Sequence, residues 1–393
     1  MADIKERAKA LNGEIVRWRR QVHQNPELGL HTPMTETFVV ERLREMGIDE
    51  IRSGVGGHGV AALIRGKKPG KVLGMRADMD ALPVKEETGL PFASTVEGRM
   101  HACGHDAHVA ILLGTARILA ENRNDLAGTV KLIFQPSEED SEGALAMIRD
   151  GVLENPPLDA IIGLHTGNLW GGLRSGMVGY RHGALMAAAD WFTVTFEGRG
   201  GHGATPHLTV DPIAMACQAF SAIQSVVSRE KSPLAPAVVT VGRIEGGSAP
   251  NIIGSTCTME GTIRSLDPGT RSLLGERIKA VCEGVAQGMR GRADVRLTCG
   301  APALINDQGV TDKLREAAAD IVGEGSVAAI AEPTMGGEDM AFFLEKVPGS
   351  FFFLPSIPGE GVVHPHHHSK FDLDESVFWI GSAVMAHFAL TWQ

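Results

Sequence analysis

Five short clusters of cysteine, histidine and carboxylate residues could carry chemistry in this 393-residue chain. Thiolate, imidazole and carboxylate ligands together suit zinc and other borderline divalent ions, whereas magnesium and calcium prefer oxygen ligands alone. Structural zinc usually relies on paired Cys-x-x-Cys knuckles, which this sequence lacks, so a site assembled from distant segments is more typical of a catalytic metal. The clusters are Met75–Asp80, His101–His108, Gln135–Asp140, Gly163–His165 and His364–His368.

The Glu138-Glu139 pair is the most informative dipeptide among them. Neighbouring side chains on an extended backbone point in opposite directions, so one glutamate can bind metal while the other faces a water nucleophile. A metal-activated water needs a base to accept its proton and an acid to protonate the leaving amine. One glutamate beside the metal can fill both roles in turn.

The elements that must position these clusters alternate between strand-like and helix-like segments over roughly the first 180 residues. This alternation predicts an α/β sheet with helices on its faces. Several clusters then follow directly on predicted strands, and ligands of open α/β sheets gather at the carboxyl ends of the strands. We predict strands at Val60–Arg65, Lys71–Met75, Thr129–Phe134 and Ala160–Leu164, and a helix at Ala107–Leu119.

The pattern changes near Gly183, where a β-α-β-β-α-β order predicts a small ferredoxin-like module. After about residue 300 the α/β pattern resumes, with a strand at Ser350–Leu354 and a closing helix at Glu375–Leu390. We therefore predict a catalytic domain, residues 1–183 and 301–393, interrupted by an inserted domain, residues 184–300. The predicted elements of the insert are Trp191–Phe196, Asp211–Glu230, Val238–Arg243, Thr256–Arg264 and Pro268–Met289.

Composition excludes several classes of protein. A net charge of −10 without a basic run disfavours nucleic-acid binding, and the absence of eighteen consecutive apolar residues disfavours a membrane span. Met1–Arg20 resembles an amphipathic helix rather than a secretory signal, so we expect a cytoplasmic protein. Five scattered cysteines argue against a disulfide framework, and all except Cys103 lie in apolar surroundings.

Seven motifs, taken in order, resemble the M20 metallopeptidase family over nearly the whole chain. The similarity is greatest to its amidohydrolase branch, which includes hippurate hydrolases, N-acyl-amino-acid amidohydrolases (aminoacylases) and auxin-conjugate hydrolases. The resemblance implies an α/β, mixed-sheet, two-metal aminopeptidase-like catalytic domain with an inserted α+β ferredoxin-like lid and dimerisation domain. The motifs are Arg20–Leu28, Arg76–Pro83, Met100–His108, Phe134–Glu139, Gly163–His165, Gly200–His207 and Met335–Asp339.

The resemblance also implies two divalent metal ions per chain, with zinc, manganese, cobalt and nickel as the candidates. Glu138 would be the general base and acid, and Asp80 would orient the ligands from behind. The late histidine is taken as His367, because His-His-Ser-Lys-Phe-Asp resembles the corresponding family stretch, and His366 and His368 are the alternatives. The implied ligands are Cys103, His105, Glu139, His165 and His367.

In the inserted domain, His202 matches a histidine that stabilises the oxyanion, sometimes from a partner subunit. Asn251 and Arg264 match positions that hold the substrate carboxylate, for which the arginine fork is well suited. The implied function is hydrolysis of the amide bond of a small N-acyl amino acid or related conjugate by a metal-activated water. A homodimer or a higher homo-oligomer is implied by the resemblance alone.

Other interpretations compete with this one. A dipeptidase or carboxypeptidase of the same broad family is the nearest alternative, and a non-catalytic metal-binding protein would require loss of Glu138 or of a ligand, which the sequence retains. Cys103 could be a buried apolar cysteine, and His101 and His108 are expected to support the site rather than ligate. The acyl group, the amino-acid preference and the native metal are open, because they depend on loop shape and metal availability.

Overall fold

The computed structural model describes residues 2–359 and 361–392. The chain forms two compact units. The first consists of Met1–Gly183, Ile305–Glu332 and Asp339–Gln393, and the second of Ala184–Leu304 and Pro333–Glu338. The predicted N-terminal helix is present from Ala2, and Met1 lies outside the described residues.

The α-helices are α1 (Ala2–His23), α2 (Pro33–Glu45), α3 (His105–Glu121), α4 (Gly143–Arg149), α5 (Pro212–Ser225), α6 (Pro268–Gly288), α7 (Gln308–Val322), α8 (Met340–Leu344) and α9 (Phe378–Thr391). The strands are β1 (Ile51–Val55), β2 (Gly59–Arg65), β3 (Lys68–Asp78), β4 (Ala127–Gln135), β5 (Ala160–Gly167), β6 (Val178–Tyr180), β7 (Gly183–Met186), β8 (Ala188–Glu197), β9 (Gly201–His202), β10 (Ala237–Gly246), β11 (Ile252–Ile253), β12 (Thr256–Ser265), β13 (Arg292–Cys299), β14 (Leu304–Asn306), β15 (Val327–Ala329) and β16 (Gly349–Pro355).

The first unit is built on an eight-stranded mixed sheet with the order β1-β2-β4-β3-β5-β16-β6-β15. Strands β4, β3, β5 and β16 are parallel, so their carboxyl ends meet at one edge. The register places Asp78 beside Gln135 and His165 beside Phe353 at that edge. The predicted α/β class and the predicted clustering of the motifs at strand ends are therefore confirmed, although each observed strand is longer than predicted.

Helix α3 is buried along nearly its whole length, which explains why its sequence is apolar on every side. It begins after Gly104, whose backbone is left-handed with φ of 97°, a conformation that glycine adopts without strain. The helix packs against α1 and α9 and against β3. Its first turn carries His105 and His108, which are three residues apart and therefore share one face of the helix.

The second unit has the predicted β-α-β-β-α-β order in β8, α5, β10, β12, α6 and β13. Its four-stranded sheet has the order β10-β12-β8-β13, and every neighbouring pair is antiparallel, as in a ferredoxin-like module. Helices α5 and α6 begin at the N-caps Asp211 and Asp267, whose carboxylates accept backbone N–H groups. Buried residues of both helices and of the sheet form a separate hydrophobic core.

Two differences from the predicted elements have local causes. The helix predicted over Asp211–Glu230 is α-helical only to Ser225 and closes with a π-helical turn at Val226–Glu230. Helix α7 carries apolar residues on one face only, with Val310, Leu314, Ala317 and Ile321 buried, and it was not predicted. None of the helices in the described part of the chain is long and apolar enough to cross a membrane.

Lys131 on β4 offers a test of how the first unit is held together. The Lys131 residue is 3% exposed, and its Nζ donates to the carbonyls of Val152 (2.8 Å), Glu154 (2.7 Å) and Pro156 (2.8 Å). We expect Lys131→Met to lower the free energy of unfolding by about 3 kcal/mol, because buried carbonyls lose a charged donor. Urea unfolding followed by circular dichroism measures this loss.

The matched control is Lys68→Met, since Lys68 is a surface lysine at 3.4 Å from Asp125, with a side chain that is 56% exposed. We expect a change within about 0.5 kcal/mol for this surface substitution. An equal loss in both variants would contradict the role assigned to Lys131.

Candidate metal centre and active site

The first unit brings the predicted ligands together at the carboxyl edge of its sheet. Among the groups of cysteine, histidine and carboxylate side chains whose ligand atoms all lie within 4.8 Å of one another, three consist of predicted site residues. Cys103 belongs to two of these groups and His105 to two, so the donors surround adjacent positions rather than a single point. The groups are Cys103 with His105 and His165, Cys103 with Glu139 and His367, and His105 with Glu138 and Glu139.

Two buried atoms of the cluster indicate that a cation belongs there. His105 Nε2 and Glu139 Oε1 are buried and have no hydrogen-bond partner within the described ranges. Buried polar atoms normally have a hydrogen-bond partner or bind an ion, so these two lone pairs indicate a ligand from outside the chain. Cys103 Sγ lies 3.6 Å from His165 Nε2, and His367 Nε2 lies 3.4 Å from Glu139 Oε2. This sulfur, nitrogen and oxygen donor set fits zinc-like divalent ions.

The outer nitrogens of two histidines fix which atom faces the cluster. His105 Nδ1 donates to the carbonyl of Asp80 at 2.9 Å, and His165 Nδ1 donates to the carbonyl of Thr166 at 2.9 Å. A carbonyl can only accept, so Nδ1 carries the proton in both rings. The Nε2 lone pair of each ring is therefore available to a metal, as is usual for ligating histidines.

Asp80 holds the Glu138-Glu139 dipeptide by its backbone. Its carboxylate accepts the N–H of Glu138 at 2.9 Å and the N–H of Glu139 at 3.2 Å. Burial raises the pKa of Asp80, which lies deep behind the two glutamates. Ser137, the residue before them, has a left-handed backbone with φ of 55°. This strained turn, directed by Asp80, aims both glutamate side chains at the cluster.

The three candidate histidines of the late cluster have different surroundings. His367 joins Cys103 and Glu139, whereas His366 Nε2 accepts the N–H of Asn168 at 3.2 Å. A Cβ on Gly167 would clash with the His366 ring, so glycine at this position makes room for that histidine. His368 stacks on His364, with ring centroids 4.4 Å apart and an angle of 17° between the rings. The geometry therefore favours His367 as the ligand, and the assignment stays a prediction.

Burial and mutual contact set the electrostatics of the protein groups in the cluster. Burial, followed by the Glu139 charge, raises the pKa of the Cys103 thiol well above its usual value. Burial would lower the pKa of His105, but Asp78 and Cys103 outweigh it and raise that pKa well above normal. Burial would raise the pKa of Glu139, but the hydrogen bond from His367 and the charge of His105 lower it. A cation that binds here must displace protons, so its affinity falls as the pH falls.

Four further residues are buried beside the ligands. The sequence predicts a supporting role for His108 but no role for Arg76, Asp78 or Asp339. Asp78 Oδ2 lies 3.7 Å from His105 Nε2 and accepts from Arg76 Nη1 at 2.7 Å. Arg76 Nη2 donates to Asp339 Oδ1 at 2.8 Å. Alternation along β3 could have indicated a role for Asp78, because it lies on the same side of the strand as Arg76.

The remaining predicted site residues lie in the second unit. His202, on β9, is exposed, and its Nδ1 accepts the N–H of Ala204 at 3.0 Å. Asn251 is exposed beside β11, and its carbonyl accepts the N–H of Gly203 at 2.8 Å. Arg264, on β12, is partly buried, with its guanidinium 5.7 Å from the centroid of the Trp191 ring. His202 and Asn251 thus lie close together within this unit, and their roles with Arg264 stay a prediction.

The choice among the late histidines can be tested by counting metal. We expect His367→Ala to release one of two bound cations, with an affinity loss larger than the roughly 10- to 100-fold cost of losing an outer partner. Metal per chain after dialysis, measured by elemental analysis, gives the answer. His366→Ala and His368→Ala are the matched controls and should keep both cations. Loss of a cation from either control with retention in His367→Ala would reverse the assignment.

Known proteins show the same arrangement of sequence and fold. The sequence model of peptidase family M20/M25/M40 matches residues 74–391. The N-acetyl-L-cysteine deacetylase of Bacillus subtilis is 42% identical over 93% of this chain and 85% of its own length. The thermostable carboxypeptidase 2 of Saccharolobus solfataricus is 38% identical over 98% of this chain and 97% of its own.

One solved structure is informative about the metal. It is the YXEP protein of Bacillus subtilis, described as a dinuclear metal-binding peptidase of the M20 family. It is 36% identical, with a TM-score of 0.84, over 97% of this chain and 98% of that one. The agreement extends over both units of the fold. The chain described here therefore belongs to peptidase family M20/M25/M40, in its amidohydrolase branch, and is a hydrolase.

Proposed function

We propose that this protein hydrolyses the amide bond of small N-acyl amino acids or related conjugates. The observation that carries the proposal is the buried donor cluster around Cys103 and His105, with the carboxylate of Glu138 beside it. A thiolate, imidazoles and a carboxylate that ligate, next to a second carboxylate able to move protons, suit metal-assisted hydrolysis. The N-acetyl-L-cysteine deacetylase at 42% identity, named for such a substrate, supports this class.

Two divalent cations would be held by the five predicted ligands, with Cys103 between the two positions. The ligand groups share Cys103, and the relative described as dinuclear supports the number of cations. Such cations lower the pKa of a coordinated water and polarise an amide carbonyl. This chemistry requires no redox change at the cation, so zinc, manganese, cobalt and nickel are all compatible with these ligands.

Glu138 is suited to carry the proton from water to the departing amine. Its residue is 8% exposed, and its Oε2 lies 3.8 Å from His105 Nε2, so it borders the cluster closely. Asp80 fixes its backbone N–H, which limits how far the carboxylate can swing. A carboxylate in this position accepts the proton at an oxygen facing the cluster and returns it to the amide nitrogen as the bond breaks.

The second unit would contribute oxyanion and carboxylate recognition. Because His202 Nδ1 accepts an N–H from Ala204, the neutral ring carries its proton on Nε2 and can donate to an oxyanion. Arg264 keeps a guanidinium fork that pairs with carboxylates in bidentate fashion, and Asn251 adds an amide. The inserted unit would act as a lid and dimerisation domain, in a cytoplasmic homodimer or higher homo-oligomer. All five cysteines are unpaired, which suits a reducing compartment.

A carboxypeptidase is the second candidate, and the 38% identity to a thermostable carboxypeptidase favours it. Both activities cut an amide bond next to a free carboxylate, and they differ in what lies on the acyl side. An N-acyl amino acid carries a simple acyl group, whereas a peptide carries an amino group and a longer chain. The two candidates therefore call for different substrates in one assay.

Chelation together with a substrate panel tests the proposal. We expect purified protein to hold about two divalent ions per chain and to turn over acetyl and benzoyl amino acids faster than matched dipeptides. A chelator should abolish turnover, and added Zn²⁺, Mn²⁺, Co²⁺ or Ni²⁺ should restore it. Faster cleavage of dipeptides or of blocked peptides would favour the carboxypeptidase. Protein that binds no metal under any loading condition would contradict both activities.

Substitution of Glu138 tests the proton carrier. Glu138→Gln keeps the shape of the side chain and removes its basicity, so we expect a fall in kcat of at least about 100-fold. The bound metal and the melting temperature should stay close to those of the wild type. Near-normal turnover in this variant would contradict the role of Glu138. Glu142→Gln, on the same loop, is the matched control and should retain activity.

A further inference from the structure

A chain of hydrogen bonds runs behind the ligand His165 without containing a predicted ligand of its own. Arg76 Nη1 donates to Asp78 Oδ2 at 2.7 Å, and Asp78 Oδ1 lies 2.5 Å from His108 Nδ1. The N–H of Thr166 donates to His108 Nε2 at 3.0 Å. The side chains of Arg76, Asp78, His108 and His165 are all buried. This series of hydrogen bonds thus ends at Thr166, the residue that follows His165.

The hydrogen bonds leave one possible tautomer for His108. A backbone N–H can only donate, so His108 Nε2 must accept and carries no proton. The proton therefore lies on Nδ1, which donates to the Asp78 carboxylate. The 2.5 Å separation of Nδ1 and Oδ1 is also shorter than the roughly 3 Å expected between two ligands of one zinc-like ion. Both ring nitrogens of His108 are thus engaged, and this histidine is not a ligand.

The N–H of Thr166 depends on this imidazole as its acceptor, because β3 no longer pairs with β5 at this position. The ladder between β3 and β5 ends at Arg76 and Gly163, whereas β5 continues beside β16 as far as Gly167. On the β3 side, the N–H of Thr166 therefore meets His108 in place of a strand carbonyl. A buried N–H without an acceptor would cost roughly 1–3 kcal/mol. The imidazole therefore takes the place of one strand carbonyl, next to the ligand His165.

We propose that His108 is a positioning residue for the metal ligand His165. It holds the peptide between His165 and Thr166, while the Thr166 carbonyl accepts His165 Nδ1–H at 2.9 Å and turns Nε2 toward Cys103. Asp78, paired with Arg76, keeps His108 in the tautomer that can accept. This inference rests on the proposed function only in that it requires a cation at the cluster.

Two substitutions distinguish the hydrogen bond of His108 to Asp78 from its hydrogen bond to Thr166. In His108→Gln the amide oxygen reaches the position of Nε2 and can accept from Thr166, whereas in His108→Asn the amide can pair with Asp78 but cannot reach Thr166. Each variant is loaded with Co²⁺, and the loss of metal to excess chelator is followed by the visible Co²⁺ absorption. We expect His108→Asn to release one of the two ions roughly 10- to 100-fold faster than the wild type. His108→Gln should stay within about threefold.

Thr115→Ala is the matched control for a general loosening of α3. Thr115 is fully buried two turns further along the same helix, where its Oγ1 donates to the Ile111 carbonyl at 3.0 Å. This control should lower the melting temperature without changing Co²⁺ release. Equal release from His108→Asn and wild type, or acceleration of the same size in Thr115→Ala, would overturn the inference. A wild-type chain that holds no cation would overturn the proposed function as well, which distinguishes the two failures.

Discussion

The site depends on the free-energy cost of burying several electron-pair donors close together without hydrogen-bond partners. Cys103, His105, Glu139 and His165 bring sulfur, nitrogen and oxygen donors within a few ångströms of one another, away from bulk water. Burial raises the pKa of Cys103 and lowers that of His165, whereas Asp78 and Cys103 outweigh burial and raise the pKa of His105. Packing alone cannot satisfy atoms such as His105 Nε2. A cation resolves the conflict, and the surrounding structure is arranged to present donors to it.

The mixed sheet makes this crowding possible because its parallel strands end together. Asp78 and Gln135 are neighbours in register, and His165 reaches the same edge from β5. Ligands that are distant in sequence therefore lie together, and the buried helix α3 packs against β3 beside them. Local backbone conformations then set the direction of individual side chains. The left-handed backbone of Ser137 does so for Glu138 and Glu139. The chemistry is thus a consequence of strand order combined with a few strained turns.

Much of this arrangement could be predicted from sequence, and the exceptions have physical reasons. The motifs at strand ends and the β-α-β-β-α-β order of the second unit follow from periodicity, which is local. Asp78 has the same residue type as Asp80 two positions later, and only three-dimensional contacts show that one pairs with Arg76 while the other holds backbone N–H groups. Likewise, three consecutive histidines look alike in sequence, but Asn168 engages His366 and His364 stacks on His368.

The charges behind the ligands explain why the site can stay reactive. Asp78 and Asp339 are both paired with the buried Arg76, whose positive charge offsets one of their two negative charges. Among the predicted ligands, only Cys103 and Glu139 bring negative charge, because the histidines are neutral when they ligate. These two charges offset half of the four positive charges of two divalent cations, so the ligands alone would leave positive charge on a loaded centre. Positive charge at such a centre would favour hydroxide over water and would attract a carboxylate. The pairing of Arg76 with Asp78 and Asp339 thus reduces, by one charge, the negative charge that the surrounding residues place beside the centre.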